Sequence, residues 1–233
     1  LNQKGLPWPA ASALAHTPLK LTTAMQRAVS IVRLGRLRSM FGWPLRVACL
    51  RNELQRLWVT SKKIIAVCDW LKILLQDNGV PADKIVVCRV GRNLESVKTP
   101  FSPGSIVKFG YLGRLTTEKG IGILLDAVRL LPADCRFQLE FCSADFESGD
   151  SALAAQIMRR AESDSRIVLG GNIRPAAVAR KIAEWDALLV PSLAMETGPQ
   201  VVIEAFHART PVIASRRGGI LELVQEGVWG VLL

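Results

Sequence analysis

The sequence predicts an α/β protein built on a parallel sheet with helices on both faces. Three observations predict it. From residue 104 onward, six short apolar runs alternate with amphipathic helical stretches. Those runs lack polar alternation, as strands buried on both faces should. Of the 233 residues, 49% are hydrophobic, enough for a substantial core and too many for a disordered chain.

The elements follow in order. Ile106–Gly113 is strand-like and ends in glycine, a residue that lets the backbone turn. Lys119–Leu131 is helical, with apolar positions 121, 124, 125 and 128 forming one stripe. Cys135–Cys142 reads as a strand and Asp150–Ala161 as a helix. Three strand–helix pairs come next: Ile167–Leu169 with Pro175–Trp185, Ala187–Val190 with Pro199–Ala208, and Pro211–Ala214 with Ile220–Glu226. Gly230–Leu233 is the sixth strand. In such sheets ligands bind beyond the carboxyl ends of the strands.

Residues 62–91 form a smaller piece of the same kind: strand Lys63–Cys68, helix Asp69–Gln76, strand Lys84–Val90. Arg92–Gly104, with Pro100 and Pro103, reads as a linker. Before residue 62 the chain is helical and basic. Lys20, Arg27 and Arg38 share one helical face, and Leu21, Met25, Ala28 and Val32 another. A membrane-surface helix and a half-buried helix both fit that pattern. No internal repeat is visible, and no apolar run reaches the ~20 residues of a membrane span. No signal peptide is visible. The first residue is Leu1 and the last four, Gly230-Val231-Leu232-Leu233, are strand-like. A piece of a longer chain, cut at both ends, is therefore expected.

The charge is uneven. Residues 1–98 hold 16 Lys and Arg against 5 Asp and Glu, a net of +11; residues 99–233 hold 14 against 15, a net of −1. The basic half suits a membrane surface, a phosphorylated substrate or nucleic acid, or is a solvated surface. Cys49, Cys68, Cys88, Cys135 and Cys142 form no C-x-x-C pair. Cys68, Cys88 and Cys142 lie in strand-like runs, where a free Cys acts as a small apolar residue. This usage fits a reducing compartment and argues against a zinc site.

Three features fall at carboxyl ends of the later strands. Gly113 and Arg114 end the first strand, and Lys119 opens the following helix. Two cations beside a helix N-terminus suit a diphosphate. In METGPQVVIEAF, Glu196 precedes a helix that begins with Pro199, and Glu204 lies in its second turn, leaning back toward the same mouth. Carboxylates accept hydrogen bonds, so the pair suits the vicinal hydroxyls of a ribose and a sugar. A helix cap at Glu196 and an exposed helix residue at Glu204 are the plain alternatives. Ser215-Arg216-Arg217-Gly218-Gly219 would let backbone amides approach a ligand closely, or is an ordinary glycine-rich turn.

In this order, FGYLGRLTTEKGIGILLDAVRLLP and VPSLAMETGPQVVIEAFHARTPVIASRRGGILELVQEGVWGVLL resemble the donor-binding half of the retaining GT-B glycosyltransferases of family 4, the glycosyl transferases group 1. IIAVCDWLKILLQDNGVPADKIVVCRVG resembles the end of that family's acceptor domain. The resemblance covers about residues 62–233. It implies two Rossmann-like domains with parallel sheets, the first incomplete. Residues 1–98 would be the C-terminal part of the acceptor-side domain, and 99–233 the truncated donor-binding domain.

The resemblance also implies roles. Arg114 and Lys119, after Gly113, would hold the diphosphate of a nucleotide sugar and stabilise the leaving nucleotide. Glu196 would contact hydroxyls of the transferred sugar, and Glu204 the nucleotide ribose. Backbone amides around Thr197, Gly198, Gln200 and Val201 would position sugar and phosphate, and the loop Gly171-Asn172-Ile173 would meet the base. No metal and no cofactor are expected, since the nucleotide sugar is a substrate. A donor phosphate oxygen would take the acceptor proton, leaving the protein positioning and charge stabilisation. The acceptor would be a glycan, a lipid or a small molecule. The location expected is cytoplasmic, and the charge of the basic half leaves open peripheral contact at the inner face of an anionic membrane. The sequence departs from the family in one place: many members have Gly three residues after the first Glu, where Pro199 stands here. The family's early glycine-rich loop and C-terminal crossing helix are missing from the sequence, and His16 matches nothing in it.

Two other functions fit parts of this pattern: a sugar-nucleotide epimerase of the same fold, and a non-catalytic nucleotide-sugar-binding module. Nucleic-acid binding is not expected, since there is no recognition-helix motif and only one Tyr to stack a base. Gly110-Tyr111-Leu112-Gly113 does not continue as G-x-G-x-x-G, against a nicotinamide-dependent enzyme.

Overall fold

The computed structural model describes residues 35–91, 106–143 and 151–233, together with Leu21 and Ala24; of 35–45 and 151 it describes the backbone alone. The linker expected at Arg92–Gly104, His16 and most of the basic N-terminal stretch lie outside these residues. Contacts divide the chain into two units: residues up to Ile64 with Ala82–Lys84, and Ile65–Pro81 with Ile85–Leu233.

The described part of the first unit is one long helix, α1 (Gly35–Thr60), and the turn Ala82–Lys84. Lys84 Nζ donates to the carbonyls of Trp58 (2.9 Å) and Val59 (3.1 Å), partners for the helix's last orphan acceptors. Leu50, Leu54 and Leu57 on α1 are exposed. No helix among the described residues is long and apolar enough to cross a membrane.

The second unit starts with β1 (Ile64–Ala66, of which Ile64 belongs to the first unit), α2 (Asp69–Asp77) and β2 (Ile85–Val87); β1 and β2 pair. Its main body is β3 (Val107–Leu112), α3 (Ile121–Leu130), β4 (Phe137–Ser143), α4 (Ser151–Ser163), β5 (Ile167–Asn172), α5 (Val178–Ile182), β6 (Ala187–Val190), α6 (Gln200–His207), β7 (Val212–Ala214), α7 (Ile220–Leu223) and β8 (Gly230–Leu232). The six strands β3–β8 form one parallel sheet in the order β5-β4-β3-β6-β7-β8.

Strand alternation divides the core. Tyr111, Phe141 and Leu189 pack into one cluster with α3 and α4, through Ile121, Leu125 and Ile157. Their strand neighbours Leu112, Cys142, Leu188 and Val190 pack into the other, with Ile182, Val202 and Ile220 of α5–α7. Adjacent strand residues point to opposite faces, so both faces are covered.

Some elements differ from expectation. The helix expected over Lys119–Leu131 is a single turn, Thr117–Lys119, then α3, with a break at Gly120. Gly120 takes φ +73°, and a Cβ there would meet Pro191 O at 1.9 Å; close packing against the β6 loop forces the break. Strand β5 runs three residues further than expected, since a bulge at Phe141/Cys142 restores pairing at Gly171 and Asn172. Asn172 therefore ends a strand rather than sitting in a loop. Helix α7 stops at Leu223, and the helix expected from Pro199 starts at Gln200. Cys68 and Cys142 are buried free thiols, whereas Cys88 is exposed. Burial pushes the Cys142 thiol up to about 12.

Candidate active site

The chain turns from β3 toward β4 and β5 on one side of the sheet, and reaches β6–β8 on the other. β3 and β6 are neighbours, so the loops at their carboxyl ends diverge and leave a crevice, the usual ligand position in such sheets. One loop carries Gly113, Arg114 and Lys119, and the other Ser192 and Glu196. They are tied together at one carbonyl. Glu118 O accepts from Leu193 N (2.8 Å), Ala194 N (3.3 Å) and Ser192 Oγ (3.3 Å).

Glu196 is the centre of the arrangement. Its Oε1 accepts from Lys119 Nζ (2.6 Å) and from Ser192 Oγ (2.6 Å). No hydrogen bond from the described residues reaches Oε2. Burial pushes the Glu196 carboxyl up, but the Lys119 and Ser192 hydrogen bonds and the Lys119 and Arg114 charges outweigh it and hold it below the usual range. Glu196 is thus an ionised acceptor with one oxygen committed. It is not a helix cap: α6 has no side-chain cap, and Pro199 precedes it.

Arg114 is exposed at the rim. Its carbonyl accepts from Tyr111 Oη (2.8 Å), and burial, aided by the Glu196 charge, raises the Tyr111 pKa, so the phenol is a neutral donor. Gly113 N donates to Cys142 O (3.2 Å), which fixes the start of the loop. Lys119 spends one of its three donors on Glu196, and among the described residues its ammonium has no other hydrogen bond.

Glu204 is buried, 5% exposed, in the second turn of α6, which excludes an exposed helix residue. Thr197 is exposed and Gly198 takes φ +150°. Gln200 and Val201 open α6, whose first-turn N–H groups have no acceptor within the helix. Asn172 is exposed at the end of β5, and its neighbour Ile173 packs partly against the core, its N–H donating to Ser143 O (2.8 Å).

The Gly218-Gly219 pair approaches the chain itself. A Cβ at Gly218, where φ is +52°, would meet Glu196 O at 2.5 Å, and one at Gly219 would meet Thr197 C at 2.9 Å. Gly219 N donates to Glu196 O (2.6 Å). The glycines let the β7 loop lie on the Glu196 loop. Sequence reasoning missed three residues here. Ser192 had no signal beyond its place after a strand. Trp70, whose Nε1 donates to Glu196 O (2.8 Å), is 126 residues away. Glu222 lies in the PVIAS…GG…E run, but nothing in the run indicated its role.

The family model for glycosyl transferases group 1 matches residues 107–233, more than half of the chain. The amylovoran biosynthesis glycosyltransferase AmsK of Erwinia amylovora is 27% identical over 192 residues, 78% of this chain and 46% of its own. The putative colanic acid biosynthesis glycosyltransferase WcaL of Escherichia coli K12 is 26% identical over 249 residues, 100% of this chain and 60% of its own. Among solved structures, Anabaena Alr3699/HepE in complex with UDP and glucose superposes with a TM-score of 0.62 at 26% identity, covering 74% of this chain and 49% of that one. The chain thus spans 46–60% of the length of these two curated relatives.

Proposed function

This chain belongs to the glycosyl transferases group 1 family, and on that premise we propose that it acts in glycosyl transfer, with its later residues forming the donor side. Its parallel α/β sheet is Rossmann-like, as in GT-B glycosyltransferases. The substrate is a nucleotide-diphosphate sugar. Arg114 and Lys119 bind the diphosphate and offset charge on the leaving nucleotide. Glu196, through Oε2, accepts from hydroxyls of the sugar. Glu204 accepts from the ribose, and Asn172 and Ile173 contact the base. Amides at Thr197, Gly198, Gln200 and Val201 orient sugar and phosphate.

Transfer proceeds with retention. The bond from the anomeric carbon to the diphosphate oxygen breaks, the acceptor oxygen bonds on the same face, and its proton passes to a donor phosphate oxygen. The step uses no metal ion and no cofactor. Residues 1–98 contribute to the acceptor side and 99–233 to the donor side. The acceptor is a glycan, lipid or small molecule, reached from the cytoplasmic face of a membrane.

One observation carries this reading: a partly buried, ionised Glu196 held by Lys119 in the crevice between β3 and β6, with Arg114 at its rim. The test is a thermal-shift panel of UDP, GDP, ADP and their sugar conjugates, on this chain and on Glu204→Ala. A ligand at about a hundred times its dissociation constant adds about 2.7 kcal/mol of stability. A shift with one nucleotide, reduced in Glu204→Ala, is expected. No shift with any of them overturns the reading.

A further inference from the structure

Glu196 is held at both ends. Its side chain is fixed by Lys119 and Ser192, and its backbone carbonyl accepts from Gly219 N (2.6 Å) and Trp70 Nε1 (2.8 Å). Two donors on one carbonyl oxygen fix the orientation of the Glu196–Thr197 peptide. That peptide sets where the carboxylate and the Thr197 amide point.

Trp70 is itself held in place. It lies in the first turn of α2, and that helix has no cap of its own from Cys68. Glu222 of α7 supplies the cap from 153 residues away: Oε2 accepts from Asp69 N (2.7 Å) and Oε1 from Trp70 N (2.8 Å). A carboxylate on the first N–H groups of a helix is favoured by their dipoles. Arg89 closes the arrangement, with Nη1 on Glu222 Oε2 (2.6 Å) and Nη2 on Asp69 Oδ2 (2.6 Å). Burial pushes the Glu222 carboxyl up, but the two backbone N–H bonds and Arg89 outweigh it and keep Glu222 ionised. A planar guanidinium bridging two carboxylates leaves little rotational freedom.

We propose that Trp70 is a positioning residue for the candidate site: its indole N–H sets the Glu196–Thr197 peptide, and the Glu222–Arg89 clamp sets Trp70. This rests on the reading of Glu196 as the carboxylate that meets the sugar. A residue of the 65–81 segment thereby controls how the β6 loop grips its ligand. Trp70 reaches the sugar subsite through Glu196 and leaves the diphosphate subsite at Arg114 alone.

The test compares the full chain with Trp70→Phe, Glu222→Gln and Glu196→Gln, using UDP and UDP-glucose as probes in titration calorimetry. The quantity read is the ratio of the two dissociation constants, the sugar's share of affinity. Trp70→Phe should lower that share by about three- to tenfold while UDP alone changes by less than about twofold. A merely structural Trp70 would lower the melting temperature and leave the share unchanged. If Glu196→Gln removes the share but Trp70→Phe does not, the positioning role is overturned and the function stands. If Glu196→Gln also leaves it intact, or the unaltered chain binds none of UDP, GDP, ADP and their sugar conjugates, the functional reading falls, and the positioning role with it. Should Trp70→Phe fail to fold, Glu222→Gln takes its place. Indole hydrogen exchange in the ligand-free chain gives a readout independent of binding. Slow exchange at Trp70, accelerated in Glu222→Gln, is expected, and fast exchange in the unaltered chain overturns the proposal.

Discussion

Replacing Lys119 by Met separates what that residue does for the fold from what it does for a ligand. Lys119 Nζ lies 2.6 Å from Glu196 Oε1, and the two side chains are 26% and 15% exposed. A charge-assisted hydrogen bond of this kind contributes about 1.5–3 kcal/mol. Met keeps the stem and loses the charge, leaving Glu196 with Ser192 and the more distant Arg114. The expected cost at neutral pH is about 1.5–3 kcal/mol, or roughly 3–12 °C in melting temperature. The cost depends on pH in one direction. The folded-state pKa of Glu196 is depressed, so its contribution is present above the unfolded pKa and fades as pH falls through the folded one. Below that point Glu196 is protonated and needs no cation, so the variant and the parent should converge. Urea unfolding of both chains across the acid range measures this. A difference that is absent at neutral pH, or constant down to acid, would refute the account of Glu196 as an ionised group held by Lys119.

Arg114→Ala should instead weaken nucleoside-diphosphate binding by roughly ten- to a hundredfold, as loss of one charged phosphate contact does. Stability should change by less than about 0.5 kcal/mol, since Arg114 is exposed; calorimetry and denaturant unfolding read the two separately, and a large loss of stability would contradict its place at the rim. Gly218→Ala should destabilise by about 1–3 kcal/mol, because φ is +52° and the new Cβ would press on Glu196 O. A neutral outcome in thermal unfolding would show that the β7 loop does not lie on the Glu196 loop as described.

Much of this protein was legible in its sequence. The alternation of apolar runs and helical stripes gives the parallel sheet, because a strand buried on both faces has no polar side to show. Glycine at the end of β3 and the charges after it pointed to the crevice, and Glu196 and Glu204 were visible as carboxylates in apolar surroundings. Boundaries were less legible where tertiary packing overrode local pattern: Gly120 breaks a helical run to let Pro191 approach, and β5 pairs on past a bulge at its own Gly170. Local sequence has no access to either cause.

The tertiary structure alone decided how the carboxylates are used. Lys119 and Glu196 are 77 residues apart, and only the adjacency of β3 and β6 brings them into contact. The glycine pair after β7 read equally as a ligand cradle or an ordinary glycine-rich turn, and the structure makes it the surface on which the Glu196 loop rests. Trp70 had no local signature and nothing local marked Glu222 as a cap, because a helix capped from 153 residues away looks in sequence like a helix without a cap. Sequence determines which groups are charged, apolar or free to turn, since those are properties of single residues and short periods. Which charge meets which, and which carbonyl is held, depends on strand order, and strand order is settled only when the whole sheet closes its core.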